Sequence, residues 1–336
     1  MSQNAQRATM KDIARSLNVS ITTVSKVING HHDISEKTRQ DVMSKIIEMG
    51  YVPNIMAANL RRAHANIVAL IFSDATKPYF GQMIEGYESV LEREGYSTIT
   101  LSSNEHPERE KAFLRSIASL NMAGIIIDPS QNSDKSKEAL EQTGLPYVFS
   151  SRFLDENDDC YVAADNRQAG YTATAHLLKR KPGRPVFCVN GPNGISVTVM
   201  RFQGYCSALA EAGMKAEEKY IFNNCFGLRD AYEIGLRIAK EAEPPFSVFC
   251  STDQMAAGVM RAFYDSGIRV PADAGVIGVD DIDISSYLVP ALTTVAIPRK
   301  SIGEMSARML VSLMQGERIP QPRILLPTKL IIREST

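Results

Sequence analysis

The feature that most constrains the fold is an alternation running through most of the chain. From Ile67 onward, short apolar runs alternate with amphipathic stretches: IVALIF, a helix over 80–94, STITL, a helix over 108–120, GIIID, a helix over 135–142, then YVFSS. Strands of a parallel sheet are covered on both faces and read as continuous apolar runs, and a crossover helix must carry the chain between them. Three βα units and one further strand therefore predict a doubly wound parallel sheet. The series restarts near Val186 with VFCVN, a helix over 199–212, YIF, a helix over 228–240, SVFCS, a helix over 256–266, and VIGVD. That repetition predicts a second, similar lobe.

The first 62 residues follow another rule. Thr9 with Asp12 three residues on has the form of a helix N-cap, and a short helix over 10–17 places Ile13, Ala14 and Leu17 on one face. The polar Asn18-Val19-Ser20 breaks it, and Ser20 caps a second helix over 21–28. There Val24, Val27 and Ile28 point inward, while Ile21, Thr22, Ser25 and Lys26 stay outside. Asn29-Gly30 ends that helix, and a third runs from a Ser35 cap to Met49, stopped by Gly50. Short helices joined by a three-residue turn make a helix-turn-helix pattern.

A length of 336 residues suits about two globular units, at roughly 150 residues per domain. Lys and Arg total 37 against 38 Asp and Glu, a net charge of -1 that does not advertise a polyanionic partner. The average hides an asymmetry: residues 1–62 hold nine bases and five acids, or +4, leaving -5 on the remainder. A basic head before an acidic body points to nucleic acid. The start, MSQNAQRATMKD, lacks the apolar core of a signal peptide, and no apolar run approaches the roughly 18 residues of a membrane span. The five cysteines lie at least 18 residues apart without a CxxC pair, which predicts reduced core thiols in a cytosolic protein. HExxH, GxSxG, Walker and GxGxxG motifs are all absent, so no catalytic residue, cofactor or metal is expected.

The segment TMKDIARSLNVSITTVSKVINGHHDISEKTRQDVMSKIIEMGYVPNIMAANLRR resembles the DNA-binding head and hinge of the lactose-repressor (LacI/GalR) family of bacterial transcription regulators. The likeness rests on DIA, VS-x-x-TVS-x-V-x-N, IS-x-x-T-R, GY-x-P-N and AA-x-L-R, and it extends through STDQMAAGVMRA, VIGVDD and PALTTV. It implies an all-α helix-turn-helix head at 1–52, a hinge at 53–65, and an α/β, two-lobed periplasmic-binding-protein-like core at 66–336. One lobe is expected to comprise about 66–164 plus 298–325, the other 165–297 plus 326–336. In a helix-turn-helix the second helix enters the major groove. Ile21 and Thr22 hold the positions that set operator preference, and both offer methyl contact to thymine. Lys26 reaches a guanine edge or a phosphate; Ser20, Thr23 and Ser25 are phosphate anchors, and Asn29 at the helix end is a further DNA-binding candidate. Asn54 opens the hinge, Ala57 permits close approach, Leu60 matches the leucine wedged into the minor groove, and Arg61 follows it.

Carried onto this chain, the family's ligand pocket falls on Tyr79 and Phe80 after the first strand, Arg201 in RFQGY and Asp280 in VIGVDD. Asp253 in STDQMA, Phe226 and Arg152 are further candidates. An arginine with aspartates and aromatic platforms suits a polyhydroxylated ligand, so a sugar or sugar derivative is the expected effector. The stretch 193–198 lacks the extra donors some relatives place before the arginine, which disfavours a strongly anionic ligand. The implied protein is a cytoplasmic homodimer on a near-palindromic double-stranded operator, nucleoid-associated when bound. It has no membrane partner and no leucine-heptad tail for tetramer formation. A periplasmic sugar-binding protein, an enzyme built on the two lobes and a regulator answering to a protein partner are the rival readings.

Overall fold

Thr9 starts the first helix because its side chain and backbone both bond Asp12: the Asp12 N–H donates to Thr9 Oγ1 and the Thr9 N–H donates to the Asp12 carboxylate at 3.0 Å. In the computed structural model, which describes residues 8–28, 33–51, 66–120, 122–130, 134–155, 157 and 160–336, this helix is α1 (Met10–Leu17). Asn18 ends it in the left-handed conformation, φ 54°. Ser20 then accepts the Thr23 N–H at 3.0 Å to begin α2 (Ile21–Ile28), and Ser35 accepts that of Thr38 to begin α3 (Glu36–Glu48). Ile13, Ala14, Val24, Val27 and Val42 are buried among the three helices. This head belongs to a compact unit spanning Met1–Ala65, and Asn66–Thr336 form a second unit.

Two six-stranded sheets organise the second unit. The first contains β1 (Ile67–Phe72), β2 (Ser97–Ser102), β3 (Gly124–Ile127), β4 (Tyr147–Ser150), β5 (Tyr161–Ala164) and β11 (Arg323–Leu326), in the order 11-5-4-3-1-2 with every pair parallel. The second contains β6 (Val186–Val189), β7 (Ile221–Phe222), β8 (Phe246–Cys250), β9 (Ala274–Asp280), β10 (Thr293–Ala296) and β12 (Lys329–Ile331), in the order 12-10-9-8-6-7. Only β12 runs antiparallel, against β10. Each sheet thus repeats one doubly wound order, and each reverses direction beside its first strand, between β1 and β3 and between β6 and β8. Strand membership shows the chain changing sheets three times: after β5, after β10 and after β11.

The crossover helices are α4 (Gly81–Leu91), α5 (Pro107–Ser119), α6 (Asp134–Glu141), α7 (Asn166–Arg180), α8 (Ser196–Glu211), α9 (Leu228–Glu241), α10 (Asp253–Asp265) and α11 (Arg299–Met314). The sequence pattern does not mark β5 or α7. The inward face of α7 is built from Ala169, Gly170, Ala173 and Thr174, small residues that carry little apolar periodicity. Their size is what the packing requires. A methyl on Gly170 would lie 2.0 Å from the Arg201 carbonyl oxygen, and one on Gly204 would lie 2.1 Å from that of Arg167. Backbone therefore meets backbone where α7 crosses α8, and α8 carries Arg201. Gly86 on α4 and Gly303 on α11 make the same close approach in the first lobe. Among the described residues, no helix is long and apolar enough to cross a membrane.

Gly170→Ala is expected to destabilise the core by about 1–3 kcal/mol, because the obstructing atoms are backbone and cannot swing aside. Gly81→Ala serves as the control: its added methyl meets nothing within 4 Å, and φ is -53°. Urea melts should show a lowered midpoint for the first and none for the second.

Candidate functional site

Ligands of doubly wound sheets sit beyond the carboxyl ends of the strands at the reversal point. A cavity of about 330 Å³ opens there against both sheets at once. Asp74 and Asp128 line it from beyond β1 and β3, Gly191 and Thr252 from beyond β6 and β8. Six of the seven expected effector residues share its wall: Tyr79, Phe80, Arg152, Arg201, Phe226 and Asp280.

Tyr79 and Phe80 lie in the 3-10 turn Pro78–Phe80 that leaves β1, ring centroids 5.3 Å apart and edge to face. Phe80 is buried against Phe72, which fixes the pair. The Tyr79 hydroxyl sits 3.1 Å from Ser151 Oγ, and burial pushes its pKa up to about 12, so it remains a neutral donor. Phe226 is 68% exposed, its backbone N–H donates to Asp230, and its ring lines the cavity as a flat apolar surface.

Arg201 is 2% exposed and joins three elements. Its Nε donates to Asn166 Oδ1 at 2.9 Å, Nη1 to the Ser251 carbonyl, and Nη2 to Asp280 Oδ1 at 3.1 Å. Asp280 ends β9 with φ 127°, and Asp281 follows at 56°. Such backbone is strained for any non-glycine residue and persists only where its surroundings over-determine it. Here Arg299 donates to the Asp281 carbonyl and Arg333 to its carboxylate, each at 2.7 Å. Burial raises the Asp280 carboxyl to about 7, with Arg201 opposing the rise and Asp253 adding to it.

Asp253 corrects the expectation. It is fully buried and does not line the cavity, and its carboxylate accepts from the Ile282 N–H at 3.0 Å and from the Ser285 and Thr294 hydroxyls at 2.6 and 2.5 Å. With both oxygens so used it braces the chain after β9 and brings Ile282 to the wall. Arg152 lines the cavity but is committed within the protein: its guanidinium grips Glu105 through two bonds of 3.0 Å and donates to the Pro129 carbonyl at 3.1 Å.

Sequence reasoning missed Asp128, Glu105 and Lys77. Asp128 carries the same signal as Asp280, an acid closing an apolar strand run, GIIID beside VIGVD. It is 1% exposed; Oδ2 accepts from the Ser73 hydroxyl, while Oδ1 has no hydrogen bond among the described residues and lies 3.6 Å from Arg152 Nε. Burial raises its pKa. Glu105 and Lys77 fall in loops, where no periodicity points to them.

In the head, Ser20, Ile21 and Thr22 are exposed at the start of α2, Ile21 at 45%. Thr23, Ser25 and Lys26 are half-buried; Ser20 Oγ and Thr23 Oγ1 lie 2.8 Å apart, and Lys26 forms an ion pair with Asp33. Asn29, Asn54, Ala57, Leu60 and Arg61 lie outside the described residues.

A carboxyl raised from an ordinary 3.8 to about 7 favours its protonated form in the folded state. Its contribution to stability is therefore complete below about pH 4 and lost as pH rises toward 7. Asp280→Asn, which cannot titrate, should show less of this loss. Paired melts from pH 4 to 8 should find the stability of the native chain relative to Asp280→Asn declining up to about pH 7 and level above it; a constant difference between pH 5 and 8 would contradict the raised pKa.

Comparison with known proteins bears on both units. Residues 9–54 match the family of bacterial regulatory proteins, lacI family, and residues 174–336 match the periplasmic binding protein-like domain. The transcriptional repressor CytR of Escherichia coli K12 is 32% identical over 331 residues, covering 98% of this chain and 96% of that protein. The Bacillus subtilis regulator DegA is 31% identical over 333 residues, 98% of both chains. The solved complex of the transcriptional regulator CelR with cellobiose covers 98% of this chain at 29% identity, with all of its own chain matched and a TM-score of 0.75. The chain belongs to the lacI family of bacterial regulatory proteins and is a transcription regulator, not an enzyme.

Proposed function

We propose that this regulator binds a near-palindromic operator as a homodimer and that a neutral polyhydroxylated small molecule, a sugar or sugar derivative, changes its operator affinity from between the two lobes. The reading divides the chain into a head at 1–52, a hinge at 53–65 and a two-lobed core. It implies a cytoplasmic protein that joins the nucleoid when bound.

The observation that carries the effector reading is the placement of complementary groups on opposite walls of one cavity. The Arg201–Asp280 pair stands on one wall, and Asp128, whose Oδ1 has no hydrogen bond among the described residues, stands on the other. A ligand with several hydroxyls would donate to both carboxylates at once and lay its apolar face on Phe226 or Tyr79. At about 330 Å³ the cavity falls at the small end of ligand sites, which suits a molecule of sugar size. Because the ligand bridges the lobes, it favours one lobe geometry over another. Whether it induces or corepresses depends on which geometry lets the paired hinges reach DNA.

The operator reading rests on the exposed start of α2. Ile21 and Thr22 stand outside the head's core, with the Ser20 and Thr23 hydroxyls beside the start of α2, and a helix N-terminus suits a phosphate. Leu60 is assigned the wedge at the centre of the operator, where it kinks the duplex.

Operator affinity should fall by about 10³-fold or more between 50 and 200 mM salt, as expected for six or more phosphate contacts. A shallow dependence, or unchanged bending by Leu60→Ala, would count against the DNA reading. A thermal-shift screen of neutral sugars should find one that stabilises the chain by about 2.7 kcal/mol at 100 times its Kd. That effect should vanish in Arg201→Ala and Asp280→Ala.

A further inference from the structure

We infer that Glu105 is a specificity-determining residue of the cavity: it occupies, with the chain's own carboxylate, a cradle of two cations that would otherwise bind an anionic ligand, and so restricts the site to neutral molecules. The inference rests on reading the cavity as the effector site.

Three basic side chains line the cavity among the described residues: Lys77, Arg152 and Arg201. None faces the cavity without an acid partner. Arg201 is held by Asp280, and the other two converge on Glu105. Lys77 Nζ lies 2.7 Å from Glu105 Oε1, Arg152 Nη2 lies 3.0 Å from that same oxygen, and Arg152 Nη1 lies 3.0 Å from Oε2. A lysine beside a forked arginine is the arrangement by which proteins hold phosphate and sulfate oxygens. Here a carboxylate already fills it.

The backbone keeps Glu105 in place. Its φ is 58°, a left-handed conformation that a residue with a side chain adopts at a cost, and its N–H donates to the Ser73 carbonyl at 2.6 Å. Asn104 just before it shares that conformation, at 53°. The cations also hold Glu105 well ionised, overcoming the effect of burial.

An incoming phosphate would have to displace Glu105 from both cations. It would then meet a second carboxylate, Asp128, which is buried with Oδ1 3.6 Å from Arg152 Nε. A hydroxyl group meets neither obstacle, since it donates to a carboxylate without separating it from its cations. The site therefore discriminates between a sugar and its phosphate ester by charge at one wall, independently of the Arg201 side.

The test uses the full chain, titrated with inorganic phosphate and with sulfate at constant ionic strength by calorimetry. Glu105→Gly removes the carboxylate, opens the cradle and suits the positive φ; it should bind either anion at least ~10-fold more tightly than the native chain. Glu105→Gln, which keeps the side chain's shape, should shift in the same direction by less, and Glu105→Asp should remain insensitive. Adding Arg152→Met to Glu105→Gly should abolish the gain, which separates the cradle from any anion bound by the head. The inference is overturned if neither Gly nor Gln gains anion affinity, or if the gain survives loss of Arg152. Anion titration reads the cradle and the sugar screen reads the effector site, so the two readings fail separately.

Discussion

The guanidinium of Arg201 is the interaction on which the geometry of the cavity depends. Taking an arginine and an aspartate out of water costs several kcal/mol per ion, and their mutual attraction recovers this only when the remaining polar groups are also satisfied. Arg201 meets that condition by bonding three separate elements: Asn166 at the start of α7, the carbonyl beyond β8, and Asp280 at the end of β9. An apolar side chain of similar volume could pack there without fixing those elements relative to one another. The contact between Gly170 and the Arg201 carbonyl belongs to the same arrangement, since it sets how closely α8 approaches α7. The charged group and the small residue are one device.

Repetition of a doubly wound order in the two sheets explains where the strained backbone lies. Ser151 follows β4 with φ 72°, and Asp280 ends β9 with φ 127°. These strands hold the same place in their sheets, β4 between β3 and β5, β9 between β8 and β10. In both, the chain turns sharply at the carboxyl end and presents a polar side chain to the cavity. Each lobe then stabilises the turn by charge: Arg299 and Arg333 at Asp281 in one, the contacts of Arg152 with Glu105 and Pro129 in the other. A ligand spanning the cavity would thus meet strained backbone in both lobes. That is a physical reason for small contacts there to change lobe geometry, although the two walls are otherwise tightly packed.

Legibility in the sequence followed the physics of each element. Strands such as IVALIF and SVFCS declare themselves because burial on both faces leaves no choice but apolar residues, and the head's helices declare themselves through Thr9, Ser20 and Ser35 at their caps. Helix α7 was hidden because close packing selected Ala, Gly and Thr in place of large apolar residues. Asp253 looked like Asp280, an acid near a strand end. A sequence cannot distinguish a carboxylate that faces a cavity from one whose oxygens are consumed by Ser285, Thr294 and Ile282. The same limit concealed Glu105, whose position depends on loop conformation and on Lys77 and Arg152 meeting it from separate loops.

Charge links the two units more closely than a net value of -1 suggests. In the core, the cavity's basic groups are matched by its own acids, which leaves the wall receptive to neutral donors. In the head, the excess is only +4 over residues 1–62, and Lys26 is already paired with Asp33. On the proposed function, phosphate would compete with that carboxylate, so a single head would gain little from the contact, and linking two heads would raise affinity through effective concentration. Weak individual heads would make lobe geometry matter: if one head bound tightly alone, changing the spacing of a pair would release nothing. On the proposed function, modest basicity in the head and neutralised cations in the core are two parts of one design, in which a small neutral ligand would act on a DNA complex that depends on pairing.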